Sequence, residues 1–404
     1  MTGEERRPGE AVDWASHDFD HTDPDTAQNL YGMLAEAREQ CPVMRGSSHG
    51  GFWALTRYAD VVEAANDHTR FTTTQGVTIP SLGLPTGSVP LTVEPPDHKH
   101  YRRALQPYFT LPAVNKLEPM VSQVVVEHVE AFAGRGHADL IEEYAQPIPC
   151  VVIALLLGLD RGIWPVFSEW VHGMHVTAQA GDLAGRDVYS AKLADLLITE
   201  VDRRVTDPRD DLLTTIAQTQ VNGEPAPAAM RYGMAQQILV AGHDTTVNGI
   251  GNLLRHLLER PGFAERATRE PDFLDRAIEE SLRFESPALG LARTVVTETT
   301  VAGTTLCPGD KVLVMYGSAN HDPRRFPDPE SYDPDREDHP GHVAFGYGRH
   351  RCIGEYLARL EMRIAARELL TRLPGLRLAA GAPIEMRQAL VRGPRSLPVV
   401  WPAG

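Results

Sequence analysis

The chain has 404 residues, 42% of them apolar, which suffices for a large buried core. Its net charge of −15 argues against nucleic acid and anionic membrane as main partners. Its four cysteines form no closely spaced pair, so we expect neither a disulfide framework nor a zinc site, and the reducing cytoplasm is the expected compartment.

The first part of the chain predicts a polar lead followed by helical structure. Residues 1–20 lack an apolar signal core and predict a disordered lead, and no linker-like run divides residues 21–404, which predict one domain. The most apolar run, residues 151–159, is too short to span a bilayer, so we expect no membrane anchor. A helical pattern covers residues 25–40, and residues 52–55 predict a short strand before a second helix.

Residues 71–93 predict a long loop with several prolines and glycines. The loop nevertheless keeps apolar side chains, among them Val77 and Ile79. A long loop with apolar content is more often functional than idle, so this stretch is a candidate wall for a binding site.

A basic helix follows that loop. Pro95, Pro96 and Asp97 favour a helix start, and His98 and Arg102, four residues apart, share one face of the predicted helix. Taken alone, the pair fits a solvated basic face as well as a site for an anion.

The sequence from about residue 113 to 260 is nearly all helical, and its most unusual segment is residues 236–258. Polar and flexible residues cluster there in the middle of an apolar helix, at a cost of about 1–3 kcal/mol in helix propensity. They include Gly242, Asp244 and Thr245, and Ala241 lies one turn before Thr245 on the same face. A local rule broken at one place indicates function, whereas a surface turn between two helices is the alternative.

The next predicted helix, residues 277–286, carries Glu280 and Arg283 three residues apart, where they can pair. Most pairs of this kind are surface ion pairs worth less than about 1 kcal/mol. Pro287 ends the helix, short strands and turns follow, and residues 321–337 predict a proline-rich coil.

Residues 342–361 combine a glycine-rich loop with the start of another helix, and Cys352 lies near the helix N-terminus. Unpaired N–H groups and the helix dipole favour a thiolate there, and Gly346, Gly348 and Gly354 let the backbone approach a flat ligand. Three interpretations are open for Cys352: a buried free cysteine, a reactive nucleophile or a metal ligand.

The spacing Phe345-x-x-Gly348-x-x-x-Cys352-x-Gly354 resembles the heme-binding loop of the cytochrome P-450 family, in which the cysteine is the axial thiolate of heme iron. Three further family motifs occur in the family's order: H-x-x-x-R at residues 98–102, A-G-x-D-T at 241–245 and E-x-x-R at 280–283. The resemblance covers roughly residues 25–402. It implies a mainly α fold with small β-sheets (α+β), a single domain with heme between the long central helix and the helix after the cysteine loop.

The resemblance also implies a role for each matching residue. Heme b would be the cofactor and dioxygen a co-substrate, with Cys352 as the iron ligand and Asp244 and Thr245 as catalytic residues that relay protons. Glu280 and Arg283 would form a buried structural pair. The implied cofactor-binding residues are His98, Arg102, Ala241, Gly242, Arg293, Phe345, Gly348, His350, Cys352 and Gly354. The implied substrate pocket contains Val77, Ile79, Val240, Leu289, Leu291 and Val391.

The sequence departs from the family pattern in the coil at residues 321–337. Ser331 and His321 stand where arginines are frequent in the family. Arg336 is the candidate to complete the network of Glu280 and Arg283.

The activity implied is oxygen insertion or oxidative dealkylation on a small-to-medium apolar organic molecule, such as a terpenoid, an aromatic compound or another secondary metabolite. With no flavin or Gly-rich phosphate motif in the chain, electrons would come from a separate ferredoxin and ferredoxin reductase, which a basic cluster would attract. The cluster contains Lys99, Arg102, Arg103, Arg349, Arg351 and Arg359. Two alternatives stay open: epoxidation or coupling on a carrier-bound intermediate, and a non-catalytic heme sensor or recruitment module. A thiol enzyme without heme is a third.

Overall fold

A computed structural model describes residues 17–27, 29–336, 341–381, 383–387 and 390–402. Helices dominate these residues, with small sheets between them, which confirms the predicted fold class. The helices of the first half are α1 (Leu30–Gln40), α2 (Tyr58–Asn66), α3 (His98–Phe109), α4 (Leu111–Asn115), α5 (Glu118–Glu130), α6 (Pro147–Leu157), α7 (Trp164–Gln179) and α8 (Leu183–Thr206). Those of the second half are α9 (Leu212–Ala217), α10 (Ala228–Glu259), α11 (Phe263–Arg269), α12 (Pro271–Phe284), α13 (Tyr316–Ala319) and α14 (Glu355–Arg372).

The strands are short. They are β1 (Val43–Gly46), β2 (Phe52–Leu55), β3 (Phe71–Thr72), β4 (His137–Asp139), β5 (Gln220–Val221), β6 (Glu224–Pro225) and β7 (Leu291–Val295). The later ones are β8 (Thr299–Val301), β9 (Thr304–Leu306), β10 (Lys311–Val314), β11 (Arg377–Leu378), β12 (Met386–Arg387), β13 (Gly393–Pro394) and β14 (Pro398–Val400).

The largest sheet has the order β1-β2-β10-β7-β3. β1 and β2 form an antiparallel hairpin, β10 pairs in parallel with β2 so that Val312 lies opposite Trp53, and β7 is antiparallel to β10. Successive residues of β10 face opposite sides, so Leu313 packs with α1 whereas Val312 and Val314 pack with α2. Both faces of this sheet are therefore covered by a helix.

Helix α10 is the centre of the helical part. It runs without a break for 32 residues, about 48 Å, and packs against α6, α8, α12 and α14. The prediction of one long helix through the polar cluster is confirmed, and the alternative of a turn between two helices is excluded. The buried side chains of its second half, including Ile250, Leu253 and Leu257, join the largest apolar cluster, which stabilises the helix despite the local propensity cost.

The ends of the predicted segments differ in detail from the sequence analysis. α1 begins at Leu30 because residues 24–26 form a separate 3-10 turn. Residues 1–16 of the expected lead lie outside the described residues, whereas Phe19 is fully buried and its N–H donates to the carbonyl of Arg45 at 2.9 Å.

Candidate functional site

A cavity of about 480 Å³ lies between α10 and the cysteine loop. Its walls are contributed by the loop at residues 74–92, α3, α7, α10, the loop at residues 344–354, α14 and residues 390–391. The sequence motifs predicted to act together, from α3, α10 and the cysteine loop, thus meet around one space although they are up to about 250 residues apart.

Cys352 lies just before α14, and its side chain is exposed to the cavity. Its N–H donates to the carbonyl of Phe345 at 2.8 Å, which closes the loop on itself. Gly346 and Gly348 both have φ values in the left-handed region, +72° and +71°. A β-carbon at Gly348 would come within 2.8 Å of Asn66 Oδ1, so only glycine lets the loop pass this close to α2.

The ionisation of Cys352 differs from the expectation that the helix N-terminus would favour a thiolate. Burial raises the pKa of the Cys352 thiol above its ordinary value, and the hydrogen bond from the Gly354 N–H only partly offsets this effect. The protein alone therefore keeps the thiol neutral, and a bound metal ion would supply the positive charge that deprotonates it.

Cationic and imidazole groups cluster beside the cysteine loop. Burial and the neighbouring charges of His350 and Arg102 lower the pKa of His98 to about 4, and the His98 and His350 rings meet edge to face at 4.9 Å. His350 Nε2 lies 3.3 Å from Glu94 Oε2. Burial lowers the pKa of His350, so its ring also favours the neutral form.

Three buried nitrogens of this cluster have no hydrogen-bond partner within the described residues: His98 Nε2, His350 Nδ1 and Arg293 Nη2. Unsatisfied buried polar groups are costly in a folded protein and usually indicate a missing partner. Carboxylates at this position would accept from Arg293 Nη2 and from the N–H tautomer of His98 Nε2. They would accept from His350 Nδ1 once that ring is protonated, since its Nε2–H faces Glu94. The residues present therefore fit the two propionates of a heme.

The wall opposite the cysteine loop is formed by α10. Ala241, Gly242, Asp244 and Thr245 all line the cavity, and the Thr245 hydroxyl donates to the Ala241 carbonyl at 2.8 Å. A β-carbon at Gly242 would come within 3.1 Å of Ile153 Cδ1, so this glycine lets α10 pack closely on α6.

The Asp244 carboxylate is held between two histidines. His175 Nδ1 of α7 donates to Asp244 Oδ2 at 2.6 Å, and His243 Nδ1 lies 3.2 Å from Asp244 Oδ1. Burial acts to raise the pKa of Asp244, but His243 and the hydrogen bond from His175 outweigh it and hold that pKa well below its ordinary value. The carboxylate is therefore ionised at neutral pH.

The structure separates the other sequence-predicted site residues into two groups. Val77, Val240, Leu291, Val391, Phe345 and Gly354 line the cavity together with His98, Arg102 and His350. Arg293 and Gly348 are not part of its lining. Arg293 is buried close enough to His350 for its charge to lower the pKa of that histidine.

The prediction that Ile79 and Leu289 line the pocket is wrong. Both side chains are buried in the apolar cluster between α1 and the large sheet, and the Ile79 carbonyl bonds to His21 Nε2 at 2.6 Å. An apolar residue in a loop can pack in a core or line a cavity wall. Here both side chains pack in the core, where they make contacts on all sides.

The structure places Glu280 and Arg283 of α12 in a fully buried pair, joined by bonds of 2.8 Å at both carboxylate oxygens. Arg336 Nε reaches Glu280 Oε1 at 3.1 Å and so joins this network. Both arginines also bond the backbone carbonyl of Ser331, and an arginine side chain at that position is not needed for this contact. His321 lies nearby, bonded to Glu330 and the Phe284 carbonyl.

Among the cavity-lining residues that the sequence analysis did not predict are two titratable ones, His175 and Glu361. His175 lies on α7, within the stretch that the sequence predicts only as helical. Glu361 is 3% exposed. Its position on the apolar face of α14 is the sequence signal that could have identified it as a functional residue. Burial raises its pKa to about 8, so it is largely protonated at neutral pH.

The sequence profile described as Cytochrome P450 matches residues 192–375 of this chain. Cytochrome P450 107B1 of Saccharopolyspora erythraea is 36% identical over 92% of this chain and 95% of its own. Mycinamicin IV hydroxylase/epoxidase of Micromonospora griseorubida is 33% identical over 92% and 96%. A solved structure of a mutant of P450 EryK in complex with erythromycin B matches with a TM-score of 0.84 and 29% identity, over 93% of this chain and 97% of that one.

These likenesses define a heme-dependent oxygenase fold, and the chain belongs to the cytochrome P450 family as a monooxygenase of the bacterial type. The family uses heme iron and dioxygen and takes electrons from redox partners. Among the described residues, no helix has both the length and the apolar character needed to cross a bilayer.

Proposed function

We propose that this protein binds heme b through Cys352 and oxidises a small-to-medium apolar organic molecule by hydroxylation or oxidative dealkylation. The observation that carries the proposal is that the Cys352 thiol faces the same cavity as Ala241 and Thr245 of α10, beside a cluster of unsatisfied buried donors. When bound, a thiolate-ligated heme activates dioxygen and supplies the oxidising chemistry.

The chain's own residues have distinct tasks in this proposal. His98, Arg102, Arg293 and His350 would hold the propionates. The Gly354 N–H bonds the Cys352 sulfur and would tune its basicity. Asp244 and Thr245 would hold and pass protons on the oxygen-binding side, where the ionised Asp244 carboxylate would orient a proton donor by accepting its hydrogen bond.

The direct test is the absorption spectrum of the reduced protein under carbon monoxide, for wild type, Cys352→Ala and Cys307→Ala. A strongly red-shifted Soret band in wild type and Cys307→Ala that is lost in Cys352→Ala supports the proposal. Cys307 is a matched control because it is also an exposed free cysteine. A band typical of imidazole ligation, or no heme in wild type, would remove the basis of the proposal.

For the substrate, we infer a secondary metabolite with a largely apolar surface, since Val77, Val240, Leu291 and Val391 form uncharged parts of the cavity wall. Terpenoids and methoxy-aromatics are the first candidates. Macrolides are the second, because similar proteins are a mycinamicin IV hydroxylase/epoxidase and a P450 EryK bound to erythromycin B. Spectral shifts on titration with a panel of all three decide between them, and tight binding of macrocycles alone would reject the first.

We infer that electrons come from a separate ferredoxin with its reductase. Lys99 and Arg103 are exposed on α3, the helix whose His98 ring contacts His350 of the cysteine loop, and they would face an acidic donor. The expected basic cluster is smaller than the sequence indicates, because Arg351 bonds Glu355 and Arg359 bonds both Glu355 and Glu279.

A further inference from the structure

Helices α7 and α10 meet at two hydrogen bonds. One joins Ser168 Oγ to His243 Nε2 at 3.3 Å, and a shorter one joins two residues of the cavity wall. His175 Nδ1 donates to Asp244 Oδ2 at 2.6 Å, and both side chains are close to buried, 12% and 8% exposed. Both residues line the cavity. A hydrogen bond to an ionised, buried carboxylate is among the stronger ones in proteins, so this contact fixes where the Asp244 carboxylate points.

The surroundings of Asp244 leave His175 as its principal hydrogen-bond partner from another element. His243 lies on α10 itself, and the geometry at its Nδ1 does not make a hydrogen bond with the described residues. The remaining charged or titratable groups near Asp244 act on it or respond to it through space: His172 of α7, Cys150 of α6 and Arg387 of β12.

His175 also has a second nitrogen that the described residues leave without a partner, Nε2. That nitrogen is buried, so the protein keeps a polar ring here although an apolar side chain would avoid the cost of desolvation. The ring is therefore retained for the contact it makes, and that contact reaches from α7 to one carboxylate of α10.

We propose that His175 is a positioning residue for Asp244: it holds the carboxylate in place from α7, so that proton transfer by Asp244 depends on α7 lying against α10. The catalytic consequence of this inference rests on the proposed function. The contact between His175 and Asp244 does not depend on it. Without the Nδ1–H donor, the carboxylate is free to turn, and reducing equivalents are lost as hydrogen peroxide instead of appearing in product.

The test compares three variants. His175→Phe keeps a ring but removes the donor, His175→Asn keeps a short side-chain N–H donor, and His172→Asn changes a histidine one turn earlier on the same helix. We expect His175→Phe to lower product formed per electron pair about tenfold, the effect of losing one charge-assisted hydrogen bond, with a matching rise in peroxide. We expect His175→Asn to recover most of this loss and His172→Asn to match wild type.

Two further measurements separate positioning from a general loss of structure. The carbon monoxide spectrum and melting temperature of each variant must match wild type, and the solvent deuterium isotope effect on product formation should rise in His175→Phe alone. Unchanged coupling and isotope effect in a correctly folded His175→Phe would overturn the inference.

Amide hydrogen exchange of α7 tests the contact without any turnover. His175→Phe, Asp244→Ala and the double variant should each raise exchange in the last two turns of α7 to the same extent, because they remove one shared contact. Additive effects in the double variant, or none, would contradict the contact even if the wild-type protein proves to hold no thiolate-ligated heme.

Discussion

Glu361 is a carboxyl group placed where nothing nearby stabilises its charge. It is buried on α14, its Oε2 has no hydrogen-bond partner among the described residues, and burial raises its pKa to about 8. A carboxyl in this state binds a proton in the folded chain over a pH range in which the unfolded chain has already released it.

Glu361→Gln should therefore flatten the pH dependence of stability. Between about pH 4.5 and 8 the folded protein holds one more proton than the unfolded chain at this site, so the free energy of unfolding falls as pH rises, by at most about 1.4 kcal/mol per unit. Chemical denaturation at pH 6 and pH 8 measures the fall. Glu142→Gln, at an exposed site, should keep the wild-type slope. Equal slopes in all three proteins would show that Glu361 is already ionised.

Gly348 is a second residue whose identity is fixed by its surroundings. Gly348→Ala has to accept a φ of +71° and a β-carbon 2.8 Å from Asn66 Oδ1, so we expect a loss of stability of about 2–4 kcal/mol and lower heme content. Gly303→Ala is the matched control, since Gly303 has φ +85° but open space around it. Gly303→Ala should lose only about 1–2 kcal/mol of stability. Thermal melts of both variants measure the two losses. Equal losses would mean that the contact with Asn66 is unimportant.

Residue by residue, the sequence predicts what lies close together along the chain and misses what packing brings together. Cys352, Asp244 and Thr245 stand in local patterns whose spacing alone indicates a shared face or loop. His175 meets Asp244 only through the packing of α7 on α10, 69 positions apart, which no local pattern encodes. The helix dipole argues for a lowered pKa of the Cys352 thiol, whereas the pKa is raised. Burial is the larger effect, and it cannot be read from the sequence.

At the scale of elements, the pair Glu280–Arg283 does more than join two turns of α12. Arg283 also donates to the carbonyls of Asn320, Pro329 and Ser331. Arg283 therefore binds the coil before the cysteine loop to α12. This contact accounts for two buried charges whose desolvation is costly.

Arg283→Met should destabilise the protein by about 3–5 kcal/mol, because it takes from the buried Glu280 carboxylate its partner at both oxygens and from three backbone carbonyls a hydrogen bond. Urea denaturation measures this loss. Arg363→Met breaks an ion pair with Asp275 that is 38% and 51% exposed, and should cost under about 1 kcal/mol. If both substitutions cost the same, the buried network does not hold the coil.

The elements themselves follow closely from the sequence, with one instructive exception in the placement of side chains. β2 begins and ends where the sequence predicts a short strand, and Asp97 precedes α3 as its N-cap. α10 continues through the polar cluster, as predicted, because tertiary contacts outweigh helix propensity. The exception is Ile79 and Leu289, which the sequence analysis predicts in the pocket wall but which lie in the apolar core. Apolar character indicates that a side chain is buried, but it does not indicate which residues surround it.

For the whole molecule, the distribution of charge matters more than its sum. The chain carries a net charge of −15, yet Lys99 and Arg103 are exposed on α3, the helix whose His98 ring contacts the cysteine loop. Local positive charge on an acidic protein can direct an acidic electron donor to one face.

Arg103→Glu should slow association with a ferredoxin several-fold at low ionic strength and flatten its dependence on salt. Arg377→Glu makes the same change of charge on the three-stranded sheet and should leave both quantities near wild type. Stopped-flow reduction rates over a range of salt concentrations measure the effect. The same rates and salt slopes in both variants as in wild type would place the docking face elsewhere.

The parallel pairing of β10 with β2 sets the order in which this protein can be completed on the ribosome. Trp53 can pair with Val312 only after about 260 more residues have been synthesised. At 5–20 residues per second, this delay is about 10–50 s. Until then β2 has one open edge, a position from which chains can aggregate. Cys352 emerges later still, so nascent chains pass most of their synthesis without the loop that would bind heme. We expect slower translation and cofactor supplied late in expression to raise the yield of intact protein.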